Sequence, residues 1–251
     1  MTDASPTSTP RRLGPVTLIV IMAALAVLLA LGTWQVKRLY WKQDLLAKIE
    51  TRMVAAPANL EEIVALESAG EDIEYRRVSL TGRFRHANEQ FFFSTLNGRS
   101  GYYVYTPFET DAGRLIFINR GFVDVGSKDP AMRGQGQVAG TVAIVGLVRD
   151  RLDEKPSWVV PDNDLAKNIY FWKDLDAMAV NAGIDPQADR LLPFFIDADD
   201  SPNPGGQPIG GVTQVNLPNS HLQYAVTWYG LALALLGVTV ALWWRGRGRG
   251  K

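Results

Sequence analysis

The chain has no cysteine. That excludes a disulfide scaffold, a CxxCH haem attachment, iron–sulfur clusters and thiolate copper sites. It does not exclude an oxidising compartment, where a protein can live without disulfides. Histidine is nearly as scarce. His86 and His221 are the only two, and neither has a second His or Cys at ligand spacing, so a structural zinc site is not expected. With only five Met besides, the soft ligands of a copper carrier are missing. There is no P-loop, no dinucleotide fingerprint, no GxSxG and no HExxH. The acid pairs Glu61/Glu62, Glu71/Asp72 and Asp199/Asp200 read as solvated charges, and nothing assembles into a hydrolase. Net charge is absent too, but unevenly so. The first 12 and last 7 residues hold six basic side chains against one acid, net +5. The rest holds 20 basic and 25 acidic residues, net −5. Such basic ends suit an anionic lipid surface, and no nucleic-acid partner is expected.

What is present begins with two long apolar runs. Between Arg12 and Lys37 lie 24 uncharged residues, and between His221 and Arg245 lie 23 more. A helix needs roughly 20 apolar residues to cross the hydrocarbon core. Neither run shows the polar face of a surface-packed helix. The first is longer than a signal-peptide core and flows into "WQVKRLYWKQDLLAKIE", so it reads as an uncleaved anchor continuing into water. The second is followed by "RGRGRGK", with four basic residues, and preceded by none back to Arg190. The positive-inside rule therefore places both termini in the cytoplasm and the long loop outside. The expected layout is a cytoplasmic tail (1–12), a first span (13–36), an external domain (37–220), a second span (222–244) and a basic cytoplasmic tail (245–251). A bacterial inner membrane, with a periplasmic domain, is the simpler home.

The external part reads as α+β. "YWKQDLLAKIETRM" is helical, and "NLEEIVALES" is a second helix with Asn59 as its cap. Strand-like runs follow: "EYRRVSLTGRF", "EQFFFST", "GYYVYTPFE", "RLIFINRGFV" and "TVAIVGLVR". The turns "LNGRSG" and "TDAG" join neighbours at hairpin spacing. "FWKDLDAMAVNAG" is a helix ending at Gly183, and "LLPFFIDA" is a late strand. The predicted fold is two transmembrane helices flanking a mainly antiparallel β domain, as a sheet or partly closed barrel, with a few helices.

Chemistry concentrates at the two span mouths. His221 opens the second span; Tyr224 follows at about one turn and Trp228 at about two, so one face reads His, Tyr, Trp. One reading is an interfacial aromatic belt with a polar tip. The other is an axial haem ligand with flat aromatics beside it. Farther along, Gly230/Ala234 and Gly237/Ala241 are spaced to let another helix approach, the first span or a different membrane protein. At the first span's outer end, Trp34, Arg38 and Trp41 share a face, and Arg38 is placed to lie against either indole. That group is either an interface anchor or a holder of an anion such as a haem propionate or lipid headgroup. In the domain, strand alternation puts Arg76 with Val78 and Leu80, and Tyr75 with Arg77 on the other face. Arg76 and Arg120, in "NRGF", are expected in structural salt bridges, and His86 at an exposed turn.

The stretches "LGTWQVKRLYWK", "YRRVSLTGRF", "GYYVYTPFE", "IFINRGFV", "NIYFWKDLDAMA" and "NSHLQYAVTWYGLA" occur in this order between about residue 31 and 244. Together they resemble the surfeit locus family of cytochrome c oxidase assembly factors. The resemblance implies a non-enzymatic role in maturing haem-copper oxidase, with haem a bound transiently and passed to the oxidase catalytic subunit. The family's candidate ligand falls on His221, and its "YRR" motif on Tyr75, Arg76 and Arg77. The implied partners are that catalytic subunit, with haem A synthase as a candidate second, and membrane lipid. The implied cofactor contacts are His221, as iron ligand, with Tyr224, Trp228, Trp34 and Arg38. Two competing readings are a haem-independent scaffold for an oxidase intermediate and a membrane enzyme acting on lipid or haem. Residues 1–30 carry no specific match.

Overall fold

The computed structural model describes residues 14–213 and 218–248. The tail expected at 1–12, and residues 249–251 of the tail expected at 245–251, lie outside them. Contacts divide the chain into two units, residues 1–48 with 216–251, and residues 49–215.

The first unit is a pair of long helices. Helix α1 spans Pro15–Val54 and α4 spans His221–Gly248. At 1.5 Å per residue, a helix of 40 residues runs about 60 Å, roughly twice the hydrocarbon core. It therefore continues past Lys37 without a break, as the sequence predicts. Both helices are long and apolar enough to cross a membrane. Only 6% of the most apolar window of α1, and 11% of that of α4, is buried within the protein. A core helix of a soluble protein would be mostly covered, and these two are not.

The helices touch through small residues, but not the expected ones. Nothing lies within 4 Å of a Cβ placed at Gly230 or Gly237, and Ala234 and Ala241 are exposed. The contact instead uses Gly32 of α1, whose missing side chain leaves room for the Tyr229 ring at 2.9 Å from a notional Cβ. Ala225 and Ala232 are the buried positions of α4. The Thr33 and Tyr229 hydroxyls meet at 3.1 Å, and Lys42 Nζ donates to the Pro218 carbonyl at 2.5 Å.

The second unit holds a closed β-barrel. Its strands are β1 (Ala58–Asn59), β2 (Arg77–Phe84), β3 (Gln90–Leu96), β4 (Arg99–Thr110), β5 (Leu115–Asp124), β6 (Val142–Asp150), β7 (Ile169–Tyr170) and β8 (Leu191–Ala198). Pairing runs β2-β6-β8-β5-β4, and β4 returns to β2 through Gly82↔Thr110 to Phe84↔Phe108. The barrel is thus fully closed rather than partly closed, which leaves no free edge among its five strands. It is mostly antiparallel, with β5 and β8 the one parallel pair in the ring. β3 and β7 extend β4 outward, and β1 adds to β2. Closure depends on Gly82: a Cβ there would stand 2.1 Å from the Glu109 carbonyl oxygen.

Helices α2 (Leu60–Ser68) and α3 (Leu175–Asn181) cover the barrel. Asn59 caps α2 as predicted, its Oδ1 accepting from Glu62 N at 2.8 Å. β5 is buried along nearly its whole length because both faces are covered. Ile116 and Ile118 join a core with Val78, Phe108, Phe194 and Ile196. Leu115 and Phe117 face a second core with Leu175, Met178 and Phe195. The turn at Asn97–Gly98 takes positive φ at both residues, as a two-residue hairpin needs.

Candidate functional site

At the mouth of α4, His221 Nδ1 and Gln35 Oε1 of α1 are 2.7 Å apart. The amide oxygen can only accept, so Nδ1 carries the proton. The other ring nitrogen, Nε2, then keeps its lone pair. This is the arrangement that fixes a metal-binding imidazole: one nitrogen held by an acceptor, the other presented. Gln35 is buried and His221 half-buried. Sequence reasoning missed Gln35. The available signal is a polar amide inside a charge-free apolar run, where such a group is costly unless bonded across helices.

The other predicted contacts stand around the same helix pair. Tyr224 and Trp34 are exposed, Trp228 is half-buried, and Arg38 is exposed with Cζ 4.1 Å above the Trp41 ring. Arg38 therefore lies against Trp41 rather than Trp34, and its guanidinium edges stay open. Among the described residues no hydrogen bond joins His221 to Tyr224, Trp228, Trp34 or Arg38. They add exposed or half-buried aromatic and cationic side chains to the two helices that His221 and Gln35 join. No group of three or more His, Cys, Asp or Glu able to hold a metal occurs among the described residues. His221 thus stands without the companion ligands that chelate an ion.

The domain's arginine motifs do different work. β2 begins at Arg77, and Tyr75 sits at φ +61, so the predicted alternation does not reach Arg76. Arg76 bonds the Asp72 carbonyl at 3.0 Å instead of the expected carboxylate, and Arg77 the Ala55 carbonyl at 3.4 Å. The Tyr75 ring lies 4.5 Å beneath the Arg149 guanidinium. Arg149 binds Glu74 at 2.8 Å and Asp197 at 3.3 Å. Asn119 donates to the other oxygen of Asp197 at 2.9 Å.

Arg120, one residue on, faces the opposite way and does form a salt bridge, as expected. It contacts Glu89 Oε1 at 3.4 Å. Glu89 also takes Arg133 on both oxygens and Gln137 at 3.2 Å. Burial alone would raise the Glu89 carboxyl; the neighbouring His86, the charge and hydrogen bonds of Arg133, and Gln137 outweigh it and hold it at about 2. His86 is not an exposed turn residue. Its Nε2 donates to the Val138 carbonyl at 2.9 Å, and its Nδ1 lies 3.3 Å from Arg120 Nη1 and 3.7 Å from Glu89 Oε1. Glu89 and Arg133 carry no sequence signal, because they meet only through the fold. Gly121 closes the motif at φ +123, where a Cβ would stand 2.0 Å from the Ile209 carbonyl oxygen.

Known proteins supply the remaining comparison. A profile described as "SURF1 family" matches residues 22–233. "Surfeit locus protein 1" of Rattus norvegicus is 41% identical over 237 residues, covering 88% of this chain and 72% of that protein. The Homo sapiens protein of the same name is 39% identical, covering 86% and 72%. A "SURF1-like protein" of Drosophila melanogaster is 32% identical, covering 88% and 74%. The match includes both helix mouths, Gln35 and His221 among them.

Proposed function

From the premise that the chain belongs to the SURF1 family of cytochrome c oxidase assembly factors, we propose that it binds haem a at His221 and assists its insertion into the oxidase catalytic subunit. The observation that supports this reading is the His221–Gln35 hydrogen bond. It commits one imidazole nitrogen to α1 and leaves Nε2 as a lone-pair donor. The donor set fits a haem: one neutral imidazole, apolar surface beside it, and a cation nearby. Haem a, when bound, supplies the iron and the macrocycle that the oxidase needs. This chain supplies the rest. Gln35 fixes the tautomer and the ring plane. Tyr224, Trp228 and Trp34 offer aromatic surface. Arg38, stacked on Trp41, keeps guanidinium donors open toward an anionic propionate. A single imidazole gives up its cargo more easily than two would, as a carrier requires.

The same reading places α1 and α4 across a bacterial inner membrane, both termini cytoplasmic, and the barrel in the periplasm. Haem A synthase is the proposed source of the cofactor. No step here needs catalysis by the chain.

The test is an absorption spectrum of the detergent-purified chain co-produced with haem a. We expect His221→Ala to lose haem or bind it with a shifted spectrum. Gln35→Leu is expected to keep haem but weaken it about 10–100-fold, as loss of a metal ligand's hydrogen-bond partner does. Full haem with an unaltered spectrum in His221→Ala would sink the ligand assignment. Recovery of oxidase subunits with a haem-free protein would favour a haem-independent scaffold.

A further inference from the structure

The Glu89 cluster has more buried positive charge than negative. Arg120, Arg133 and Glu89 are 2%, 5% and 4% exposed. Arg133 occupies both oxygens of the one carboxylate. Arg120 reaches only Oε1, at a long 3.4 Å, on an oxygen that also serves Arg133 and Gln137. Its remaining partners are neutral: His86 Nδ1, the Gly136 carbonyl and Asn203 Oδ1. Its Nε has no hydrogen-bond partner among the described residues. Burial pulls the Arg120 guanidinium down to about 10, still fully charged at neutral pH. A buried cation without its own counter-ion is costly, and an orphaned buried N–H adds to that cost.

Arg120 is also part of a cavity wall. The cavity is about 180 Å³, with Phe84, Val142, Ile144 and Ala198 among its apolar walls and Arg120, Asp199, Ser201 and Asn203 as polar members. It lies where β6 runs on beyond its pairing with β8, which ends at Gly146↔Ala198. The Arg120 guanidinium stacks 4.7 Å from the Phe84 ring, so charge and apolar surface adjoin. Asp199 is the one acid in the wall, and its Oδ1 accepts from Ser201 N. A cavity of about 150 Å³ accommodates benzene. This one therefore has room for roughly seven heavy atoms, a carboxylate with a short apolar body. The apolar side chains of the wall, Phe84, Val142 and Ile144, give a hydrocarbon body a contact that a bare inorganic anion lacks.

We propose that this cavity binds a small monocarboxylate with an apolar body, its carboxylate meeting Arg120 and its body lying against Phe84, Val142 and Ile144. The ligand supplies the counter-charge that Glu89 cannot give to two arginines. The site is independent of His221 and of the haem reading.

Isothermal titration of the detergent-purified full chain with hexanoate tests this, with hexanamide and acetate as controls. Hexanoate is expected to bind saturably at one site. Hexanamide, which keeps the shape without the charge, and acetate, which keeps the charge without the body, are each expected to bind at least tenfold more weakly. Because Arg120→Met removes a buried network member and can unfold the domain, two milder variants carry the test. Val142→Phe, which fills the cavity and leaves the cluster intact, should abolish binding; uptake into detergent micelles would not respond to it. Asp199→Asn, which removes the competing carboxylate, should tighten binding. Equal binding of hexanamide and hexanoate, or unchanged binding in Val142→Phe, overturns the proposal.

Discussion

Replacing Glu89 with Ala would leave two buried guanidiniums facing each other. Breaking a buried pair in this way costs about 3–5 kcal/mol, and denaturant titration of the purified chain should show it as a lower midpoint. The carboxyl also sets an acid limit. Its folded value is about 2 against an ordinary 4.5. A depressed carboxylate contributes stability in full above its unfolded value, and that stability is lost as pH falls from about 4.5 to about 2. The loss is on the order of 3 kcal/mol. Melts across that window should fall for the natural chain and run flatter for Glu89→Gln. The residue scale is also where the sequence is least legible. His221 stands out as a lone histidine at a span mouth, and "NRG" as an arginine ending an apolar strand. Gln35, Glu89 and Arg133 do not, because each gains its meaning from a partner at least 31 residues away in sequence. His86 misleads for the same reason: its turn is visible, while the Val138 carbonyl and Arg120 that bury it are not.

Elements are far more legible. Both long helices, the cap of α2, the two hairpin turns and the six longer strands all follow from local pattern. The strands that alternate, such as β2, are read directly from period-two burial. β5 and β8 lack that alternation since two cores cover them, yet their continuous apolar runs still mark strands. The two-residue strands β1 and β7 have no signal of their own. Small-residue spacing in α4 points to a helix contact, but α1 does not use those residues; its Gly32 identifies the face the two helices share. Gly32→Leu should push the Tyr229 ring aside and separate α1 from α4. One spin label on each helix would report a longer distance, and the cysteine-free background makes the labelling clean. Asn59→Ala should cost about 1 kcal/mol through loss of the α2 cap, read as a small drop in thermal midpoint.

At the scale of the whole chain, charge supports the proposed layout. The basic C-terminal flank and the long loop between the spans predict sidedness. Alkaline phosphatase fused within the loop should be active, and green fluorescent protein fused at the C-terminus should fluoresce. The reverse pattern would invert the proposed orientation. Barrel closure is the whole-molecule feature that local pattern leaves open. Hairpin spacing announces β3-β4-β5 but does not say that β2 meets β4, or that β8 enters between β5 and β6. Gly82→Ala should strain the β2–β4 seam, with a cost at the upper end of the ~1–3 kcal/mol that overpacking brings.

The position of β8 also has a consequence in time. It is the last strand of the ring in sequence, yet it lies between β6 and β5. A chain emerging from its N-terminus can assemble β2, β4, β5 and β6 only as an unclosed ribbon. The facing edges of β5 and β6 stay unpaired until residues 191–198 arrive. Such non-local pairing is slow, because loop closure must precede the contacts that reward it. An interrupted or truncated chain ending before Leu191 would expose two strand edges at once, and so be a ready substrate for proteolysis or edge-to-edge association.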